Sequence, residues 1–289
     1  MSGQAYHSEQ TYRDIRIKMG QMSASQLKIA EYILENPNRI PFLTVKKLSQ
    51  LAGVSEATVV RFASFLGYTG FSEFQQAVQA TVQKQLTAPE RLSISSEVYN
   101  QWEKGIRDIF EDDMNNLRLT IEQLDMEQFS EAVNRLCAAR KIFVAANQSA
   151  ASLGIFLCYY LNILLGNCVL LSSASILSDQ LLDVGGEDVV VGISFYRYSS
   201  ATLETMQYAK AHGAAAIAIT DGLISPLGDY ANITLFAQSK MPSFIDSFVA
   251  PLSLINALIT YIGLKFKDKT ASRMNDWEQL SDNFDLFCK

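Results

Sequence analysis

Apolar residues recur at helical spacing between Ser23 and Val82, in short bursts that Pro, Gly and Ser/Thr separate. The spacing predicts a first helix that Ser23 or Ser25 caps and that ends before Pro37. A short connector, Ile40 to Leu43, follows it. The N-terminal part of the chain is therefore expected to be a small all-helical domain.

Two further helices with a sharp turn between them follow the connector. Thr44 is the expected N-cap of the first, Gly53 supplies the positive φ of the turn, and Ser55 caps the second. Apolar positions at i, i+3, i+4 and i+7 give the second helix one buried stripe, which consists of Val59, Phe62, Ala63 and Leu66. The pattern is that of a helix-turn-helix, and an ordinary helical hairpin is the alternative.

The outer side of this helix pair carries residue types that bind DNA. A second helix in the major groove would present its N-terminal side chains to base edges, and Arg61 suits guanine or phosphate. The expected DNA-binding residues are Thr44, Lys46, Lys47, Ser55, Glu56, Thr58, Arg61 and Tyr68. Charge agrees with this interpretation, because residues 1–85 carry nine Lys and Arg against six Asp and Glu while the whole chain has a net charge of −6.

The chain changes character after residue 85. Residues 86–96 contain a proline and show no helical period, which predicts an interdomain linker. Apolar residues near a 3.6 period then predict one long helix over residues 97–123, which either links the domains or lies across a dimer partner.

After residue 139, short β-branched runs alternate with helical segments. The expected strands are Lys141–Ala145, Cys168–Leu171, Asp188–Ile193, Ala214–Thr220 and Asn232–Ala237. This alternation predicts a parallel sheet with helices on both faces. Ligands of such sheets bind where the carboxyl ends of strands meet helix N-termini.

Composition excludes several classes of protein. The length of 289 residues with 48% hydrophobic and 19% charged residues fits about two globular domains. Four cysteines without a CxxC pair indicate neither a zinc site nor a disulfide framework, so we expect no metal, no cofactor and a cytoplasmic protein. The N-terminus lacks the apolar segment of a signal peptide, and the apolar stretch Ile155–Leu171 is broken by Asn162 and Gly166, so no membrane association is expected.

The motif LxxLAGVSEATVVRFxxxLGYxGFxEF, which runs from Leu48 to Phe74, resembles the helix-turn-helix domain of RpiR/MurR-type bacterial regulators. The resemblance continues into a C-terminal region that is similar to a SIS (sugar isomerase) domain. It implies an all-α DNA-binding domain over residues 1–85, a linker and connecting helix over 86–125, and an α/β effector-binding and oligomerisation domain over 126–289. It also implies a homodimeric or homotetrameric regulator that binds a two-fold operator and responds to a small anionic metabolite, commonly a sugar phosphate.

The ligand turns of this SIS-like region depart from the family pattern. Where the family has GxGxS, this chain has Ala145, Asn147 and Ser149. Where the family has SxSGxTxE, it has Ser194, Tyr196, Arg197, Ser199 and Ala201. Loss of the glycines narrows the phosphate cradle, whereas Arg197 adds a positive fork suited to carboxylate or phosphate.

An anionic pocket is the interpretation that we prefer to a purely structural turn. The expected effector-binding residues are Asn147, Gln148, Ser149, Ser194, Tyr196, Arg197, Ser199, Ser200 and Thr202. Two more loops are candidates for the same pocket or for helix caps, and they contain Ser172, Ser173 and Ser175, and Thr220, Asp221 and Ser225.

The alternative functions are a sugar-phosphate isomerase without specific DNA binding and a DNA-binding protein whose second domain only dimerises. Isomerisation needs a pocket base, and Ala201 stands where the family motif has Glu. His212 is expected near a helix end, and with only two histidines in the chain no catalytic residue is assigned. The favoured function is a transcriptional regulator, a repressor in preference to an activator.

Overall fold

The computed structural model describes residues 4–37, 39–82, 87–171, 179–223, 225–265 and 267–284. The chain forms two compact units. We call Met1–Asp112 with Lys240–Asp246 the helical unit, and Asp113–Ser239 with Ser247–Lys289 the sheet unit. A seven-residue segment from late in the chain therefore belongs to the helical unit.

The helical unit is built from short amphipathic helices around an aromatic and aliphatic core. Its helices are α1 (Gln4–Lys18), α2 (Ala24–Glu35), α3 (Val45–Ala52), α4 (Glu56–Leu66), α5 (Phe71–Val82), α6 (Ala88–Val98) and the first half of α7 (Trp102–Gln123). The stripe predicted for α4 is buried at all four positions, which confirms this part of the sequence interpretation. Phe62 meets Phe74 edge to face at 6.0 Å between ring centroids, so α4 and α5 share this core.

The boundaries of these helices follow from their capping residues. Ser23, and not Ser25, begins α2 in a reciprocal capping box with Gln26. Thr44 accepts a hydrogen bond from the backbone of Lys47 at 3.2 Å, and Gly53 ends α3 at a φ of 64°. A glycine is needed there because the chain must reverse within three residues.

Two predictions about the region after residue 85 were wrong. Residues 88–98 form α6 where an irregular linker was expected, since Thr87 and Glu90 make a capping box and Pro89 occupies the first turn, where its missing N–H costs nothing. The helix expected over residues 97–123 is two helices, because α6 ends at Val98 and α7 begins at Trp102.

The structure also contains a helix near the N-terminus, α1, which the polar sequence there did not predict.

The sheet unit is a parallel sheet covered by helices, as predicted. Its elements after α7 are α8 (Met126–Ala138), β1 (Ile142–Ala146), α9 (Ala151–Leu164), β2 (Cys168–Leu171), β3 (Val189–Ile193), α10 (Ser200–Ala211), β4 (Ala215–Thr220), β5 (Ile233–Phe236), α11 (Val249–Lys265) and α12 (Lys267–Asn283). The described strands follow the order β2-β1-β3-β4-β5, and all neighbouring pairs are parallel.

Two glycines set how closely helices lie on the central strands. A Cβ at Gly154 of α9 would come within 2.6 Å of the Cβ of Ala146, at the end of β1. A Cβ at Gly192 of β3 would come within 2.1 Å of the sulfur of Met206 on α10. These contacts fix α9 and α10 against β1 and β3, and with them the helix N-termini beside the strand ends.

No single helix of the described ranges is both long enough and apolar enough to cross a membrane. The pair formed by α11 and residues 270–283 passes by length and composition together, but it is bent by 109°.

Candidate DNA-binding face and effector site

The N-terminus of α4 presents polar groups that its own cap organises. Ser55 accepts a hydrogen bond from the backbone of Thr58 at 3.3 Å, and the two hydroxyls lie 2.8 Å apart. Glu56 and Arg61 are exposed on the same helix. Arg61 is folded back onto the helix, where its Nε donates to the carbonyl of Ala57 at 3.3 Å, so it has to extend to reach a base or phosphate.

Lys46 and Lys47, at the N-terminus of α3, are already paired with acids of the helical unit. Lys46 forms an ion pair with Glu111, and this hydrogen bond raises the pKa of Lys46 above its ordinary value. Lys47 lies 3.4 Å from a carboxylate oxygen of Asp108. These acids are more than 60 positions away in the chain, so no local pattern in the sequence indicated them.

Tyr68 contributes to the core of the helical unit. Its ring meets Phe74 at 5.5 Å between centroids, and its hydroxyl lies 2.8 Å from that of Thr11. Burial raises the pKa of Tyr68. Its assignment as a DNA contact stays a prediction, and the contacts described here are packing contacts.

The second candidate site lies at the carboxyl edge of the sheet, where the strand order reverses. The chain leaves β1 toward β2 on one side and returns as β3 on the other side of β1. Because β1 and β3 are hydrogen-bonded neighbours, the turn at residues 147–149 and the turn at residues 194–199 emerge side by side. Open parallel sheets bind ligands at such a switch point.

Hydrogen bonds tie these two turns together. Asn147 donates from Nδ2 to the hydroxyl of Thr202 at 2.9 Å, which joins the first turn to the first residues of α10. The backbone N–H of Ser199 donates to the hydroxyl of Ser194 at 3.0 Å, and Ser199 in turn caps α10. Thr202 is fully buried and Ser194 is 4% exposed, so these two hydroxyls support the turn and do not face solvent.

Each turn contains one strained backbone position. In the part of the chain that the structure describes, the non-glycine residues with positive φ are Gln148, at 54°, and Arg197, at 65°. Arg197 stands where the SIS motif has glycine and keeps the left-handed conformation that glycine adopts easily. An arginine there costs conformational energy, and strain of this kind is concentrated at functional sites.

The exposed predicted residues of the two turns are Gln148, Ser149, Arg197 and Ser200. The fourth strand adds a buried support, because Thr220 donates to the carbonyl of Ser194 at 2.8 Å. Asp221, a candidate from the sequence, accepts from the hydroxyl of Tyr198 at 2.8 Å, and no sequence pattern indicated this pairing. Ser172, Ser173 and Ser175 lie outside the described residues.

His212 ends α10, as expected. Its ring stacks on Tyr208 at 3.9 Å, and Nδ1 lies 2.8 Å from the carbonyl of Tyr208. Among the described residues, no group of three or more His, Cys, Asp or Glu is placed to hold a metal ion.

Comparison with known proteins identifies the domain type of each unit. Residues 10–85 match the model for the helix-turn-helix domain of the rpiR family, and residues 135–261 match that of the SIS domain. The chain combines a helix-turn-helix domain of the rpiR family with a SIS domain. An uncharacterized HTH-type transcriptional regulator of Caldanaerobacter subterraneus is 29% identical over 275 residues, which are 92% of this chain and 95% of that protein.

Two solved structures have a similar fold over the parts that they cover. The sugar isomerase domain of an RpiR transcription factor from Sphaerobacter thermophilus is 25% identical, with a TM-score of 0.58, over 60% of this chain and 97% of that one. The NanR protein of Vibrio vulnificus, complexed with ManNAc-6P, is 19% identical, with a TM-score of 0.57, over 96% of this chain and all of that one. The predicted fold class is confirmed, and the regulator interpretation is favoured over the isomerase.

Proposed function

We propose that this regulator binds a two-fold DNA operator through α3 and α4, and that a small anionic metabolite of the sugar-phosphate class controls the binding from the SIS-type domain. It acts as a repressor in the cytoplasm, and its working form is a homodimer or homotetramer. The effector contacts are the exposed residues of the two turns at the β1–β3 switch point.

The observation that carries the effector site is the convergence of both strained turns on one sheet edge. Arg197 places an exposed guanidinium beside the N-terminus of α10, and the helix dipole also favours an anion there. Ser149 and Ser200 add exposed hydroxyls. NanR, which has the same fold, is complexed with a sugar phosphate, and this supports the same ligand class here.

Two features of α4 support the proposed DNA-binding site, and they are its buried stripe and its polar outer side. The stripe fixes the helix against the core, so the exposed N-terminal side chains are presented on a rigid element. Arg61 is the expected base contact, with Ser55 and Thr58 as hydroxyl donors to DNA. An effector that binds the DNA-competent and the DNA-incompetent states with different affinity shifts the population between them.

The first test exposes the purified protein to fragmented DNA from its own genome and sequences the fragments retained at physiological salt. The Arg61→Ala variant should retain the enriched fragment with an affinity about 5- to 150-fold lower, the loss expected for one base contact of about 1–3 kcal/mol. Lys28→Ala is the matched control, because Lys28 is an exposed cation of α2 outside the predicted DNA-binding set.

A shared two-fold motif that Arg61→Ala loses and Lys28→Ala keeps would support the regulator assignment. Equal affinity of both variants across a salt series would remove Arg61 from the interface. If wild-type protein enriches no fragment with or without sugar phosphates, the DNA part of the proposal fails, and an isomerase assay becomes the next measurement.

A further inference from the structure

Acidic residues of α7 cover the lysines of the predicted DNA-binding face. Asp108 and Glu111 are three positions apart and so share one side of the helix. Glu111 pairs with Lys46, and Asp108 lies 3.4 Å from the ammonium of Lys47. All four residues belong to the helical unit.

The pairing around Lys47 is a partly enclosed site. The side chains of Lys47 and Asp108 are only 16% and 17% exposed. The Lys47 ammonium also donates to the carbonyl of Val98 at 2.8 Å, at the end of α6. Asp112, which follows Glu111 in α7, accepts from the hydroxyl of Tyr99 at 2.7 Å, and it lines one groove together with Lys47 and Asp108.

A DNA phosphate would bind the same two ammonium groups that these acids already pair with. The N-terminus of α3 with two ammonium groups beside it is a site for a phosphate oxygen, because helix N–H groups and lysines both favour an anion. A carboxylate satisfies a lysine in the same way as a phosphate does. A duplex that reached Lys46 and Lys47 would have to displace Glu111 and Asp108, and these acids would repel it if they stayed.

We propose that Asp108 and Glu111 form an autoinhibitory latch, in which α7 imitates the DNA backbone and occupies Lys46 and Lys47 in the arrangement described here. This inference rests on the proposed DNA-binding function. The second half of α7, from Asp113, belongs to the sheet unit, so one helix runs from the latch into the unit that holds the effector site. A movement of α7 would therefore change whether Lys46 and Lys47 are available to bind DNA.

The test neutralises the latch without changing its shape. The double variant Asp108→Asn with Glu111→Gln is compared with wild type and with Glu97→Gln plus Glu103→Gln. The control removes the same charge from the helical unit, but Glu97 pairs with Arg39 and Glu103 lies in the first turn of α7. The probes are the fragment retained from the genome and a mixed-sequence 30-bp duplex, each titrated at 100 mM salt.

The latch variant should bind both duplexes about five- to tenfold more tightly than wild type, and the control should change affinity by less than about twofold, because only the latch variant frees Lys46 and Lys47. An equal gain in the two variants would mean that only net charge matters and would overturn the latch.

A double-mutant cycle tests the pairing itself. Lys46→Gln should reduce DNA affinity at least about threefold more in the Glu111→Gln background than in wild type, because Lys46 is engaged with Glu111 in the latter. Additive effects would overturn the pairing. Circular dichroism melts confirm that all variants fold.

A measurement without DNA separates this inference from the proposed function. On a heparin column the latch variant should elute at higher salt than the control variant, because the freed lysines bind the sulfate groups. If no operator is found, such a shift still supports the latch, and identical elution of the two variants contradicts it.

Discussion

Arg197 has a backbone conformation that usually belongs to glycine. Its φ of 65° costs a residue with a side chain about 1–2 kcal/mol, and no other described residue except Gln148 shows such a conformation without being glycine. The chain thus places a guanidinium on a left-handed backbone position where the SIS motif has glycine. A charge at a strained position is best explained by a contact that needs both the geometry and the charge.

This explanation predicts different outcomes for two variants. Arg197→Ala and Arg197→Gly both remove the guanidinium, so both should lose most of the rise in melting temperature that a bound anion gives to wild type. Arg197→Gly should be at least as stable as Arg197→Ala without ligand, because glycine relieves the strain that alanine keeps. Differential scanning fluorimetry with N-acetylmannosamine 6-phosphate, other sugar phosphates and carboxylate metabolites measures both effects.

A ligand-dependent rise that survives in both variants would remove Arg197 from the site. Ser149→Ala is the companion variant, since Ser149 is exposed on the neighbouring turn and carries no charge. A smaller loss in Ser149→Ala than in Arg197→Ala is expected if the charge of the arginine dominates binding.

At the scale of elements, residues 240–246 connect parts of the helical unit that are distant in sequence. Arg91 of α6 is 3% exposed and donates to the carbonyl of Ser243 at 2.9 Å and to the carboxylate of Asp246 at 2.8 Å. Lys240 donates to Gln75 of α5 at 3.1 Å, and Gln75 donates to the carbonyl of Leu43, just before α3, at 2.8 Å. Through Gln75, the segment thus supports the backbone that leads into α3 of the helix-turn-helix.

Loss of Arg91 should therefore destabilise the helical unit. Arg91→Leu leaves Asp246 without its guanidinium partner, and the expected cost is about 3 kcal/mol, as for a buried pair with one member removed. The double variant Arg91→Leu with Asp246→Leu should recover part of this loss. Urea unfolding followed by circular dichroism gives the free energies of unfolding, and a change below about 0.5 kcal/mol in Arg91→Leu would contradict the role assigned to the segment.

Sequence periodicity predicted the elements that local patterns define. The stripe of α4 and the five strands are visible in the chain because burial imposes a period of 3.6 or a short β-branched run. The break between α6 and α7 and the helix over residues 88–98 were missed. The three serines of α6 obscure the pattern of its buried side, which includes Arg91. The hydrogen-bond partners of this buried arginine lie more than 150 positions later in the chain, and no local pattern predicts them.

The same reasoning explains which part of each site the sequence predicted. Arg197 was identified because it departs from a known motif, and Arg61 because it lies opposite the stripe. The acids that pair with Lys46 and Lys47, and the bond that joins Asn147 to Thr202, depend on tertiary contacts between separate elements. The sequence therefore predicts which residues face outward from a helix or strand better than it predicts their hydrogen-bond and ion-pair partners on other elements.

At the scale of the whole molecule, one recognition helix contacts too few base pairs to select an operator, so the proposed function predicts that two copies of α4 act together. A dimer with two-fold symmetry should bind half-sites whose centres are about 10–10.5 bp, or a multiple of that, apart. Sedimentation of the protein and hydroxyl-radical footprinting of the retained fragment test both expectations.

Spacing variants of the operator provide the sharper test of this arrangement. Insertion of 5 bp between the half-sites turns one of them to the opposite face of the duplex, so the affinity should fall to that of a single half-site, a loss of at least about 100-fold. The control is the same insertion outside the half-sites, which leaves their relative orientation unchanged. Unchanged affinity after the central insertion would mean that the two heads are not held in a fixed two-fold arrangement. Then the effector could not act by changing their spacing, and release of the α7 latch within a single head would be the remaining route from effector to DNA.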